Sequence, residues 1–359
     1  MTLARLKIRN LRNLLAVDLA PGTGINVILG PNASGKSSLL EAVHLLSCGK
    51  SFRTHHLAQL ISRGTDAMTL SAEVLSRQHG STTLGMEYES KGGHLRVRAG
   101  GRSVHRMSEL ASYLPVITIH QESHRLFTQG PEFRRTFLDW GVFHVEPRFL
   151  PAWQRYRRAL RQRNSMLQQG IGRPDIWDPE LVEHGLLMDA QRRRYLQRFD
   201  PIFTELLCIL RIESKVSLSY RPGWDTDVDL AVQLAQALGG DRRLGYTRYG
   251  PHRADIDFTA GGVPVRERLS RGQIKVLVYA AFLAQACVLA EATGRRGLIM
   301  MDDLAAELDR QHIDQLIEKI ATLGFQSIIT SSDPEFRGHV EPVGHKVFHV
   351  EHGRFTEVI

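Results

Sequence analysis

The sequence predicts an α/β fold with a helical segment inserted between two parts of a mixed sheet. First, a glycine-rich loop at residues 30–37 follows the short apolar run 25–29 and precedes a helical pattern. Second, residues 66–107 are rich in strand formers and are interrupted by paired glycines, which is typical of an antiparallel meander. Third, two long helical patterns begin near residue 147. Together these observations favour one sheet-based domain with a helical lobe.

The loop at residues 30–37 fills the pattern G-x-x-x-x-G-K-[ST] at every fixed position, within the strand, loop and helix order that this pattern requires. Backbone N–H groups of such a loop bind phosphates, while Lys36 reaches the β and γ oxygens and Ser37 binds Mg²⁺. A chance match on a glycine-rich turn is the weaker alternative, because both flanks fit. The predicted ATP-binding positions are Gly30, Pro31, Asn32, Ala33, Ser34, Gly35, Lys36, Ser37 and Ser38.

Two adjacent carboxylates follow a second apolar run, residues 298–301. Next to a phosphate loop, Asp302 is expected to hold, through a water molecule, the Mg²⁺ that Ser37 binds. Asp303 is expected to orient or deprotonate the attacking water, so Asp303 and Lys36 are the predicted catalytic residues. The alternative is an acidic turn after a core strand.

Residues 269–273 read Leu-Ser-Arg-Gly-Gln and precede a long apolar helix. Ser270, Gly272 and Gln273 are predicted to bind ATP, and we expect this ATP to belong to a second subunit, because the stretch lies on a different helix from the phosphate loop. The alternative is a helix cap, since serine is a good capping residue.

The charge of the chain favours a nucleic acid partner. The net charge is +8, and only eight of the 46 basic residues are lysines. One guanidinium group can bind two phosphate oxygens at once, so an arginine-rich basic protein is suited to binding DNA. From charge alone, a solvated basic surface is an equal alternative.

The helical patterns after residue 147 predict two helices of about twenty residues, packed as a hairpin and separated by a break at 170–174. Acidic residues at i±4 are scarce on the first helix, which favours an anionic ligand over a salt-bridged helix face. The arginines predicted to be exposed on this arm are Arg155, Arg157, Arg158, Arg161, Arg163, Arg192, Arg193, Arg194 and Arg198.

The remaining pattern predicts a cytosolic protein. Three cysteines lie far apart with no C-x-x-C spacing, which argues against disulfides and zinc sites. No apolar run of about eighteen residues is apparent, and the first seven residues alternate charged and apolar types, unlike a signal peptide.

In this order, the motifs resemble those of the ABC-type ATPases and, among them, the RecF family of bacterial recombination mediators. The resemblance covers most of the chain, and its further motifs lie at residues 6–13, 51–54, 134–139, 250–253 and 302–309. It implies an ABC-type ATPase head at residues 1–128 and 249–359, with a short helical arm lobe at 129–248.

The same resemblance implies ATP and Mg²⁺ as cofactors, an ATP-dependent homodimer, and binding to double-stranded DNA at gaps or junctions. It also implies RecR and RecO as partners, with RecA placed on DNA indirectly, and weak DNA-stimulated ATP hydrolysis.

Two segments depart from the family pattern. Residues 120–124 replace an expected Pro-Glu-Asp stretch, which leaves the roles of Gln121 and Glu122 open. Ser331-Ser332-Asp333 lacks a histidine, which predicts slow hydrolysis.

Two other classes remain as alternatives. An ATPase subunit of a membrane transporter shares the head but places the stretch that here occupies residues 269–273, which we call the signature stretch, nearer the phosphate loop. In this chain Leu269 lies 233 positions after Lys36. A soluble GTPase or small-molecule kinase shares only the phosphate loop, and the base-reading N-K-x-D motif is missing.

Overall fold

The chain forms two compact units in the computed structural model, which describes residues 1–76, 80–212 and 214–358. The first unit contains residues 1–123 and 289–359, and the second contains residues 124–288. The predicted arm lobe, 129–248, lies within the second unit, which also includes 124–128 and 249–288. This extension has a physical reason: strand Val216–Arg221 of the predicted lobe pairs with strand Asp255–Ala260, beyond the predicted boundary.

The strands are, in chain order, β1 Thr2–Leu11, β2 Leu14–Leu19, β3 Ile25–Leu29, β4 Ala67–Ser76, β5 Gly80–Glu89, β6 His94–Ala99, β7 Arg102–Ser103, β8 Val116–Ile119, β9 Val216–Arg221, β10 Asp255–Ala260, β11 Val263–Pro264, β12 Leu298–Met301, β13 Ser327–Ser331, β14 His345–Glu351 and β15 Arg354–Val358. The helices are α1 Lys36–Cys48, α2 Met107–Tyr113, α3 Arg125–Thr128, α4 Pro131–Val145, α5 Phe149–Gln169, α6 Asp178–Ile209, α7 Leu230–Leu244, α8 Val265–Arg268, α9 Arg271–Thr293, α10 Leu304–Glu307, α11 Arg310–Leu323 and α12 Arg337–Val340.

Within the described residues, the first unit contains two six-stranded sheets. One has the order β15-β14-β3-β13-β12-β8, and its pairs are parallel except for the terminal hairpin of β14 and β15. The other is antiparallel, with the order β2-β1-β4-β5-β6-β7. The α/β class and the predicted meander are therefore confirmed.

One apolar core joins the two sheets of the first unit to α1. It includes Leu6 of β1, Leu70 of β4, Val43 of α1, Ile328 of β13 and Phe348 of β14, each at most 2% exposed. Because α1 begins directly after residue 35, this packing fixes the helix that carries the end of the glycine-rich loop.

The second unit contains the helix pair α5 and α6, which pack against each other, and a small antiparallel sheet with the order β11-β10-β9. The first helix has 21 residues, as predicted, but the second has 32 and continues through Pro201. The predicted length of the second helix is therefore wrong.

Two arginines predicted to be exposed on this helix pair are buried. Arg163 is 0% exposed and pairs with Asp178 at 2.7 Å and Asp241 at 2.8 Å. Arg192 is 1% exposed and pairs with Asp139 at 2.8 Å. A buried guanidinium requires such carboxylate partners, and these partners lie outside the i±4 positions that the sequence pattern considers.

Helix α9 has the length and composition of a membrane span, and its most apolar stretch of 18 residues has a mean hydropathy of 1.7. However, 72% of that stretch is buried inside the protein, as in the core helix of a globular domain. Gln285 interrupts this stretch, so α9 is not an unbroken run of about eighteen apolar residues, and burial explains its composition.

Candidate nucleotide-binding site

The topology of the first unit places several chain segments at one sheet edge. Strands β3, β13, β12 and β8 run parallel, so their carboxyl ends lie together. The residues that follow these ends are the glycine-rich loop, Ser332, Asp302 and His120. This is where an open α/β sheet binds ligands.

The glycine-rich loop wraps around its own lysine. Lys36 is 6% exposed, and its Nζ donates to the carbonyl oxygens of Gly30 at 2.7 Å and Pro31 at 3.0 Å. Ala33 (φ 62°) and Gly35 (φ 120°) adopt left-handed backbone conformations. A Cβ atom on Gly30 would approach the carbonyl oxygen of Val350 to 2.2 Å, so only glycine fits there. The loop is therefore curved around a buried ammonium group.

Burial lowers the pKa of Lys36, while the carboxylates of Asp303 and Asp302 act in the opposite direction. Desolvation disfavours an isolated ammonium, and nearby negative charge stabilises it. A phosphate bound in the loop adds negative charge at the same place. This arrangement suits an anionic ligand.

Asp302 joins the loop to the neighbouring strand end. Its Oδ1 accepts from Ser37 Oγ at 2.9 Å and from Thr330 Oγ1 at 2.8 Å, and its backbone N–H donates to Ile119 O at 2.9 Å. The structure thus brings together the two residues predicted to bind Mg²⁺. Their oxygen atoms are the hard ligands that Mg²⁺ prefers.

Asp303 lies beside this pair in a left-handed conformation (φ 52°). Its N–H donates to Thr330 Oγ1 at 2.8 Å, and its Oδ1 accepts from the N–H and the Oγ of Ser332 at 3.3 and 3.2 Å. Left-handed backbone is uncommon outside glycine and is concentrated at functional sites. The strand end at residues 331–333 therefore orients the predicted catalytic carboxylate.

After β8 the chain passes through His120 and then forms a 3-10 helix, Gln121–His124. The His120 ring stacks on Phe52 with ring centres 4.9 Å apart, and Phe52 meets His44 edge-on at 5.4 Å. His44 Nδ1 lies 2.9 Å from Thr118 Oγ1, and burial lowers the pKa of His44 to about 4. The His44 ring is therefore neutral at pH 7 and supports the fold of this edge.

The signature stretch lies at the beginning of α9 in the second unit. Ser270 N donates to Gln273 Oε1 at 2.9 Å, and Gln273 N donates to Ser270 Oγ at 3.2 Å. This reciprocal pair is a capping box, so the capping interpretation applies in this conformation. Ser270 and Gly272 are exposed.

The structure divides the predicted site residues between the two units. Those of the first unit lie at one sheet edge: Gly30, Pro31, Asn32, Ala33, Ser34, Gly35, Lys36, Ser37, Ser38, Asp302 and Asp303. Those of the second unit are Ser270, Gly272 and Gln273.

The sequence pattern does not connect Asn13 or Gly353 with the glycine-rich loop, although both form hydrogen bonds with it. Asn13 Nδ2 donates to Ala33 O at 3.0 Å, and Gly353 N donates to Ser34 O at 2.9 Å. Both residues lie in hairpin turns far from the loop in sequence. Asparagine and glycine are turn-forming residues, so the sequence indicates the turns themselves. It does not reveal which loop these turns contact.

Exposed arginines are present on α5. Arg155, Arg158 and Arg161 are exposed and make no ion pair with any residue that the structure describes. Arg157 lies over the Trp153 ring at 4.7 Å. On α6, by contrast, Arg193 pairs with Asp189 at 2.7 Å.

The fold and the site define an ATPase head of the ABC type. A family model described as RecF/RecN/SMC N terminal domain matches residues 2–356. Solved Smc head domains share the fold, with TM-scores of 0.62 and 0.63 at 13% identity.

Curated relatives named DNA replication and repair protein RecF match at full length. The RecF of Stutzerimonas stutzeri is 42% identical over 100% of this chain and 98% of its own. That of Pseudomonas aeruginosa is 41% identical over 99% of this chain and 98% of its own. A solved structure of the recombination mediator protein RecF with ATP, of the RecFOR pathway, aligns over 99% of both chains with a TM-score of 0.89 and 26% identity. The chain therefore belongs to the RecF family.

Proposed function

We propose that this protein is an ATP-dependent DNA-binding protein of DNA repair, recombination and replication restart, which acts in the cytoplasm as an ATP-gated dimer. The observation that carries the proposal is that Asp302 Oδ1 accepts hydrogen bonds from the hydroxyl groups of both Ser37 and Thr330. This contact assembles a phosphate loop and a carboxylate pair at one sheet edge. The names of the full-length relatives supply the biological setting.

The residues at this edge fit ATP and Mg²⁺. Backbone N–H groups of the loop and the Lys36 ammonium suit the phosphates, and Ser37 Oγ with Asp302 Oδ1 supplies hard oxygen donors. The buried Ser34 Oγ has no hydrogen-bond partner among the described residues, so its hydroxyl can donate a hydrogen bond to a phosphate oxygen. Mg²⁺ held by these residues would offset negative charge on the bound phosphates.

Asp303 is the residue proposed to act on the attacking water. Ser332 holds its carboxylate through two donors, and Thr330 holds its backbone. In this position Asp303 orients the water and accepts its proton. Since the strand end at 331–333 contains no histidine, we propose slow hydrolysis that resets a switch and does not drive rapid turnover.

The signature stretch supports the dimer. Ser270, Gly272 and Gln273 are placed at a helix N-terminus, where backbone N–H groups and the helix dipole favour anions. We propose that this terminus binds the γ-phosphate of ATP held by the other subunit. ADP lacks that phosphate, so hydrolysis releases the pair.

The arginines of α5 support a DNA surface. Arg155, Arg158 and Arg161 have no carboxylate partner within the described ranges, so their charges are available to phosphates. We propose that the dimer binds double-stranded DNA at gaps or junctions and, with RecO and RecR, helps place RecA there.

A gel shift on gapped duplex DNA, with and without ATP, tests the proposal. Wild type should bind more tightly with ATP than with ADP. Lys36→Ala should lose ATP binding and the ATP effect, because the β and γ phosphates lose their lysine partner in the loop. Lys346→Ala, which removes a surface lysine paired with Glu357 at 3.0 Å, is the control and should behave as wild type.

Two results would overturn the proposal. Lys36→Ala with unchanged ATP affinity would remove the phosphate-loop assignment. Wild type that floats with lipid vesicles and shows no ATP effect on DNA binding would favour the transporter class instead.

A further inference from the structure

We propose that Asn13 is a positioning residue that holds the phosphate loop in its nucleotide-binding conformation, an inference that rests on the proposed ATP site. Asn13 lies in the turn between β1 and β2. Its Nδ2 donates to Ala33 O at 3.0 Å, and its Oδ1 accepts from Ser38 Oγ at 3.0 Å. One side chain thus connects the loop with the helix that follows it.

A second hairpin turn holds the next loop carbonyl. Gly353, between β14 and β15, donates its N–H to Ser34 O at 2.9 Å. The two turns also touch each other, because a Cβ atom on Gly353 would lie 2.5 Å from Asn13 O. We call Asn13 and Gly353 the loop clamp.

The loop clamp sets the direction of the loop N–H groups. In a trans peptide unit the C=O and the N–H point in opposite directions. Anchoring the carbonyls of Ala33 and Ser34 outside the loop therefore turns the N–H groups of Ser34 and Gly35 to the other side. The Ser34 N–H accordingly reaches Pro31 O at 3.3 Å, across the loop. Successive N–H groups turned to one side form an anion-binding concavity.

The loop clamp also stabilises a costly backbone conformation. Ala33 has φ 62°, which a residue with a Cβ adopts only at a cost in free energy. The hydrogen bond from Asn13 offsets that cost. Leu14, which follows Asn13 at the beginning of β2, also packs closely against the loop, since a Cβ atom on Gly35 would lie 2.6 Å from Leu14 Cδ2. The loop conformation therefore depends on contacts that residues 30–37 do not supply.

The test measures ATP affinity by filter binding with MgATP. Asn13→Ala should weaken ATP binding about tenfold, because the hydrogen bonds that its side chain makes with Ala33 O and with Ser38 Oγ are both lost. Asn10→Gly is the matched control, because Asn10 donates to Ala67 O at 3.2 Å on the same hairpin and has φ 56°, which glycine retains. This control should bind ATP as wild type does.

A rescue separates positioning from general stability. Glycine at position 33 adopts a left-handed conformation without strain, so Ala33→Gly should restore most of the ATP affinity of Asn13→Ala. If Asn13→Ala bound ATP as tightly as wild type, the role of the loop clamp would be overturned, but the proposed function would stand. The same conclusion would follow if adding Ala33→Gly to Asn13→Ala restored none of the ATP affinity. Wild type that does not bind ATP would overturn the proposed function, and the loop clamp with it.

Discussion

The arginines of α5 give a prediction whose magnitude follows from the structure. Arg155, Arg158 and Arg161 recur every three residues, are exposed, and have no ion-pair partner in the described part of the chain. Each phosphate contact releases counterions and contributes about −0.9 to the slope of log K against log salt. Replacing all three by glutamine should make the slope less negative by about 2.7. Wild type should therefore lose about 40-fold more affinity than the variant between 50 and 200 mM salt.

The assay is a titration of labelled gapped duplex DNA with the ATP-bound protein, at several salt concentrations between these limits. The matched control is Arg193→Gln with Arg194→Gln, because these arginines are already paired with Asp189 at 2.7 Å and with Glu146 at 2.9 Å. Their replacement should change the slope much less. A triple variant with the wild-type slope, or a control that flattens it equally, would refute the assignment of α5 to the DNA surface.

Further predictions concern the carboxylates and the buried ion pairs. Asp303→Asn should retain ATP binding but slow ATP hydrolysis, measured as phosphate production, at least about 100-fold, because the amide cannot accept the proton of water. A normal rate of hydrolysis would exclude Asp303 as the base. Asp302→Asn should raise the Mg²⁺ concentration required for half-maximal hydrolysis, measured by titration with MgCl₂, and an unchanged requirement would contradict the assignment. Arg163→Met should lower the free energy of unfolding by about 3–5 kcal/mol, because Asp241 is 0% exposed and loses a partner. Urea denaturation measures this loss, and a change below about 1 kcal/mol would mean that the site relaxes.

Local patterns made the phosphate loop and its strands predictable. The fixed residues at 30–37 and the flanking apolar spacing come from neighbouring positions, and so do the apolar runs of β8, β12 and β13. Parallel strands then bring their ends together, which explains why Ser37 and Asp302, 265 residues apart, meet at 2.9 Å. The sequence predicts this meeting because the sheet topology follows from the motifs.

Long-range pairing set the limits of prediction. The burial of Arg163 depends on Asp241, 78 residues away on α7, and periodicity on α5 carries no trace of that partner. The second unit extends beyond the predicted lobe because β9 pairs with β10 across a gap of more than thirty residues. Asn13 could not be assigned to the loop from sequence, since a turn asparagine has many possible partners.

The most direct test of the central claim is the mass of the protein in solution, measured by sedimentation velocity. With MgATP the wild type should sediment as a dimer, and with MgADP as a monomer, because only ATP carries the γ-phosphate that joins the two chains. Ser270→Arg should still bind ATP but remain a monomer, since the added side chain obstructs the partner's nucleotide. An ATP-bound Ser270→Arg protein that sediments as a dimer and hydrolyses ATP normally would contradict the ATP-gated dimer.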